Sequence, residues 1–148
     1  MNIFLATAMT DIPSNRKSKH IKNINILIDK LNATSDMDVY SGLTHPANIN
    51  RKEFDLKENN KLYKWYEKLI KKTDIFVADI TYSSVGVGIE LQIASALSKP
   101  IYLIVDTSFR KKENISRMLL GITGIEELIE YTDIQSLNED LRDKFRNK

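Results

Sequence analysis

The run Asp74-Ile75-Phe76-Val77-Ala78-Asp79-Ile80 limits the fold more than any other feature of the chain. Its apolar residues are consecutive rather than alternating, as in a strand covered on both faces, which is the situation of a parallel sheet packed between helices. A turn-rich loop follows, Thr81 to Gly88, and then a helical stretch bearing Leu91, Ile93, Ala94 and Ala96-Leu97. Pro100 is expected to end that helix, and Ile101-Tyr102-Leu103-Ile104-Val105 reads as the next strand. A strand, a helix and a second strand at this spacing make one parallel crossover unit.

The rest of the chain fits around that unit. Asn2-Ile3-Phe4-Leu5-Ala6 reads as a short buried strand, and Ile21, Ile24, Leu27, Ile28 and Leu31 form one stripe of a helix from about Ser14. Met37 to Tyr40 suits a second strand, and Leu62, Trp65, Tyr66, Leu69 and Ile70 share a helical face. Asn48 to Asp55 has no clear pattern. The C-terminal part offers a short helix near Ile115–Leu120, an edge strand at Leu128–Tyr131 and a polar helix from Ser136. The expected fold class is α/β: one domain over 1–148, a three-layer sandwich on a mostly parallel sheet of about five strands, flavodoxin- or Rossmann-like.

Composition narrows the chemistry. With no Cys among 148 residues, disulfides, thiolate metal sites and a cysteine nucleophile are excluded, and two histidines are too few for a His-rich centre, so no metal or other cofactor is expected. The 22 basic and 20 acidic side chains leave a net charge of +2, largely interleaved, which is no footprint for a nucleic-acid partner. No apolar run approaches the roughly 18 residues of a membrane span and the N-terminus lacks the pattern of a signal peptide, so a cytoplasmic protein with no membrane partner is expected.

Ligands on open parallel sheets gather at the C-terminal ends of the strands. The loop after the first strand, the loop holding His45 and the loop Ser83–Gly88 are therefore expected to converge. In Ser83-Ser84-Val85-Gly86-Val87-Gly88-Ile89-Glu90, Gly86 and Gly88 permit close backbone approach, and free N–H groups at a helix start favour an anion. The same glycines also suit a plain tight turn, with Glu90 complementing the helix dipole. The pattern is neither a Walker phosphate loop nor a dinucleotide fingerprint. Asp79 ends the central strand, where it can hold a ligand hydroxyl or fix the loop. Arg110-Lys111-Lys112 with Arg117 offers positive charge but equally makes a solvated face.

From Asp74 to Ile104 the chain resembles the nucleoside 2-deoxyribosyltransferase superfamily, and most closely its 2'-deoxynucleoside 5'-monophosphate N-glycosidase branch. The resemblance is specific over about these 30 residues and extends loosely to the N-terminal strand and to Ile115-Ser116-Arg117-Met118. It implies that Glu90 is the nucleophile, that Ser84 contacts a phosphate, and that Ser116 is contributed by the neighbouring subunit of a homodimer. It further implies a nucleotide site lined by Thr7 and Met9 of the first loop, with His45, Asp79, Gly86, Gly88 and Met118 as further substrate contacts. The branch carries a proton-donating Asp where this chain has Tyr66. A phenol can donate a proton, so Tyr66 is a second catalytic candidate, although its helical phase equally suits packing beside Trp65 and Leu69. Ile3 and Met9 stand where the branch has an aromatic residue and an Arg.

The implied reaction is attack of a carboxylate on C1' as the base leaves, followed by resolution of the ester by water. The implied partner is a small nucleotide or nucleoside. A transferase, in which a second base resolves the ester, is the nearer alternative, and Ser84 in place of an acid favours a phosphate-bearing substrate. A nucleotide-binding or signalling module without turnover is the other alternative.

Overall fold

The computed structural model describes residues 1–34, 36–45 and 55–146. Five strands, β1 (Asn2–Ala6), β2 (Asp38–Ser41), β3 (Ile75–Asp79), β4 (Ile101–Asp106) and β5 (Ile125–Tyr131), form one sheet in the order β2-β1-β3-β4-β5. Every pairing is parallel, so the α/β sandwich expected from the sequence is present. The chain moves outward from β1 to β2 and then returns past β1 to β3. The strand order therefore reverses between β1 and β3, and a crevice opens beyond their C-terminal ends.

Strand parity separates two apolar layers. Ile3, Leu5, Ile75, Val77, Tyr102 and Ile104 face helices α1 (Ser14–Asn32) and α5 (Ile134–Arg146). Phe4, Ala6, Phe76, Ala78, Leu103 and Val105 face helices α2 (Leu56–Lys72) and α3 (Val85–Ala96), with the single-turn helix α4 (Arg117–Leu120) beside them. β3 and β4 are buried along their whole length, the physical counterpart of their unbroken apolar runs.

Three boundaries differ from expectation. Helix α3 stops at Ala96, ahead of Pro100, because Ser98 adopts a left-handed conformation (φ 53°) that turns the chain. Strand β5 begins at Ile125 rather than Leu128. Gly124 (φ 94°) leads into it, and the exposed pair Glu126-Glu127 hides its strand pattern at the sheet edge. The C-terminal helix is amphipathic rather than simply polar: Leu137, Leu141 and Phe145 recur every four residues and are fully buried against the α1 layer. Most of the unpatterned segment Asn48–Asp55 lies outside the described residues. Asp55 is the N-cap of α2, accepting from the Lys57 and Glu58 amides.

Candidate active site

A buried polar network joins the C-terminal ends of β1 and β3 on the α1 face of the sheet. Thr7 Oγ1 donates to Asp79 Oδ2 at 2.9 Å, and His20 Nε2 lies 2.9 Å from the same hydroxyl and 3.3 Å from the same carboxylate oxygen. Because the Thr7 hydrogen is spent on Asp79, His20 Nε2 is the donor to Thr7, which fixes its protonated nitrogen. Asp79 Oδ1 accepts from the Thr81 amide, and Thr81 Oγ1 in turn accepts from the Asp106 amide. Burial pulls the His20 pKa below its ordinary value, against the opposing pull of Asp79 and Asp106.

This geometry corrects two expectations from the sequence. Asp79 is 0% exposed with both oxygens engaged, and Thr7 is 9% exposed with its hydroxyl engaged on both sides. Both share the parity of Leu5 and Val77, so they point into the α1 layer rather than toward α3. They fix the loops after β1 and β3 and do not reach into the crevice. His20, which the sequence reading passed over, completes the network. It lies four residues before Ile24 on the buried stripe of α1, and a histidine at such a position needs a buried partner.

The opposite layer carries the candidate chemistry. Ser84 is the N-cap of α3, accepting from the Val87 amide at 3.3 Å. Gly86 and Gly88 lie inside the first turns of α3 with no positive φ, and an added Cβ would meet only Ser84 Oγ at 3.6 Å from Gly86 and nothing within 4 Å from Gly88. The backbone does not require glycine there, so what the two residues provide is open space over the helix start. One turn after Gly86, Glu90 shares a stripe with Ile93 and Leu97, flanking the sheet-facing row Val87, Leu91 and Ala94. Ile93 and Leu97 belong to the same apolar layer as Tyr66, Leu69 and Ile70 of α2, so Glu90 stands on an apolar flank of α3. Burial pushes the Glu90 carboxyl up to about 8, and no described hydrogen bond or ion pair engages it.

Tyr66 is half-buried, edge-on to Phe4 at 5.9 Å and to Trp65 at 5.0 Å. Its hydroxyl lies directly over Gly42, in the turn after β2: an added Cβ on Gly42 would sit 1.9 Å from it. His45 packs on the Trp65 ring with centroids 4.4 Å apart. Trp65 and Tyr66 of α2 thus hold the loop after β2. Met9 is half-buried in the loop after β1.

At the start of α3, a groove of about 250 Å³ is lined by Ser83, Ser84, Arg110 and Ser116 together with apolar side chains that include Val87 and Ile115. Ser84 and Ser116, 32 residues apart in the chain, therefore share one wall without any second subunit. Ser116 is exposed as the N-cap of α4, and Met118 is 88% exposed. Arg110 turns inward to the groove, whereas Lys111, Lys112 and Arg117 remain exposed. Sequence alone offered only a basic run here, because nothing local distinguishes the inward residue.

No model of a known protein family matches the chain. Its fold is that of nucleoside 2-deoxyribosyltransferase-like proteins. The structure of Clostridium botulinum CMP N-glycosidase, BcmB, superposes with a TM-score of 0.67 over 97% of this chain and 99% of that chain, at 23% identity. The 2-deoxyribosyltransferase of Bacillus psychrosaccharolyticus gives 0.62 over 93% and 90%, at 19% identity. In sequence, 76 residues are 32% identical to the Thermofilum pendens protein named "Putative 2'-deoxynucleoside 5'-phosphate N-hydrolase 1". That match takes in 50% of this chain and 51% of the relative, so the chain spans about half the length of the curated relative it matches. The resemblance to the superfamily and to its N-hydrolase branch, expected from Asp74 to Ile104, is borne out. No helix among the described residues is long and apolar enough to cross a membrane.

Proposed function

We propose that this chain cleaves the N-glycosidic bond of a (2'-deoxy)nucleoside 5'-monophosphate, with Glu90 as nucleophile. The observation that carries the reading is Glu90 itself: a carboxyl group held in an apolar flank without a described partner, within about one helical turn of a glycine-lined opening. A partly buried, unpaired carboxyl in apolar surroundings is costly to retain and suits a group that acts on a ligand. In the reaction a Glu90 oxygen bonds to C1' and the C1'–N bond breaks. Its electron pair leaves with the base, which takes up a proton from Tyr66 or from water. Water then hydrolyses the glycosyl ester, giving the sugar 5-phosphate and freeing Glu90 with overall retention at C1'. Ser84 and Ser116 hold the phosphate. Met9, His45, Gly86, Gly88 and Met118 line the remainder of the nucleotide site.

The proposal extends to a homodimer, in which Ser116 of each copy reaches the site of the other. The exposed apolar side chains Val85, Ile89, Met118 and Leu120 lie close in sequence to the two serines and supply a surface for such pairing. Sedimentation showing only monomer at working concentration removes this part and leaves Ser116 to its own groove.

The activity is tested by incubating the protein with ribo- and deoxynucleoside 5'-monophosphates and the parent nucleosides, with and without an acceptor base, and separating the products. Free base from monophosphates, abolished by Glu90→Gln, is the expected result. Base exchange only in the presence of acceptor makes the chain a transferase. Monophosphate binding without release of any base makes it a nucleotide-binding module.

A further inference from the structure

The three serines of the groove are neutral, and a phosphate monoester is a dianion near neutral pH. The groove therefore needs a cation, and Arg110 is the charged residue among those lining it. Its guanidinium is pinned in place: Nη1 donates to the Ile80 carbonyl at 2.8 Å, and Nη2 donates to Ser83 Oγ at 3.0 Å and to the Asn114 carbonyl at 3.2 Å. All three acceptors are uncharged. No ion pair among the described residues includes Arg110, so its positive charge stands half-buried and uncompensated.

The anchor points matter as much as the charge. Ser83 immediately precedes Ser84, and Asn114 lies two residues before Ser116. One side chain thus ties the loop before α3 to the segment before α4 and stands between the two serines proposed to meet the phosphate. Wherever Ser116 meets a phosphate, in its own chain's groove or in a partner's, this guanidinium arrives with it. The three bonds leave N–H donors on Nη1 and Nε for a further acceptor.

We infer that Arg110 determines specificity for the 5'-phosphate: its pinned, uncompensated guanidinium makes the site take a phosphomonoester in preference to the neutral nucleoside. The inference rests on the proposed nucleotide site but not on turnover. Charge-assisted contacts of an arginine with a phosphate are directional and strong, and removal of one is expected to cost about tenfold or more in affinity. Lysine restores the charge without the fork, so it should recover the preference only in part.

The test is calorimetric titration of wild type, Arg110→Gln and Arg110→Lys with each nucleoside 5'-monophosphate of the panel and its parent nucleoside, alongside base-release kinetics. The expected result is that the ratio of monophosphate to nucleoside affinity falls at least tenfold in Arg110→Gln and partly recovers in Arg110→Lys. In wild type, monophosphate affinity should weaken with added salt more steeply than nucleoside affinity, a readout that needs no variant to fold. Equal loss of both ligands in the variants, or an unchanged ratio, overturns the inference and leaves Arg110 a structural tie. Selective, Arg110-dependent binding without base release keeps the inference while rejecting glycosidase activity. Base release with no preference for monophosphates does the reverse.

Discussion

Thr7 and Asp79, 72 residues apart, meet at 2.9 Å where β1 and β3 end side by side, and His20 closes the contact from α1. The point of strand reversal is thus braced by a hydrogen-bonded triangle on one face of the sheet, while the proposed chemistry lies on the other.

The brace makes stability depend on pH in a definite direction. Folded His20 has a lowered pKa, so between that value and its ordinary 6.5 the unfolded chain binds more protons than the folded one. Stability from this residue is therefore full above about pH 6.5 and declines as pH falls toward the folded value. His20→Gln, which keeps a donor for Thr7, should remove that share of the decline, read as the difference between wild-type and variant Tm from pH 5 to 8. A difference that does not change with pH would contradict the assignment. Asp79→Ala should cost about 1–3 kcal/mol for each buried donor it orphans.

Glu90 acts with the opposite sign. With a folded value of about 8 against 4.5 for an ordinary carboxyl, the folded state holds the extra proton, so stability from this group is lost as pH rises from 4.5 toward 8. Glu90→Gln should raise Tm relative to wild type at pH 8 or above while removing base release. Since the nucleophile is the carboxylate, kcat/KM of wild type should climb with pH through a limb near 8. A rate independent of pH between 6 and 9 would count against Glu90 as the attacking group.

Gly42 and Tyr66 are interlocked. Gly42→Ala places a methyl group 1.9 Å from the Tyr66 hydroxyl, so the ring must move. The expected cost is about 1–3 kcal/mol, as for other overpacked sites. Tyr66→Phe removes the closest clashing atom, leaving the ring carbon at 2.7 Å. The double variant should therefore be more stable than the sum of the single effects predicts, as a double-mutant cycle of denaturant midpoints would show. Strict additivity would mean that the ring does not hold this turn.

Ser84 has two roles that can be separated. Ser84→Ala removes the cap on the Val87 amide, with an expected loss of about 1 kcal/mol in stability, and Ser84→Asn should restore most of it because Asn also caps helices. If the hydroxyl also holds the phosphate, Ser84→Ala will weaken monophosphates far more than nucleosides. Equal losses would leave it a cap alone.

The sequence by itself determined the layer order. Unbroken apolar runs at β3 and β4, joined by one helical crossover, admit little except a parallel sheet between helices, and the Ser84–Glu90 spacing marked the start of α3 as the place to look for chemistry. What it left undecided at the strand ends has a physical cause. A strand buried on both faces carries the same apolar signal on each, so the sequence shows that Asp79 ends β3 but not which helical layer its carboxyl enters. Only pairing with β1 and packing of α1 directed it to Thr7 and His20, away from the crevice. Arg110 is a similar case: in a run of three cations only the meeting of the segments before α3 and α4 decides which one turns inward, because its carbonyl and hydroxyl acceptors come from Ile80, Ser83 and Asn114. Local periodicity encodes which face of an element is buried, whereas the partner that face meets is set by tertiary contacts between residues distant in the chain.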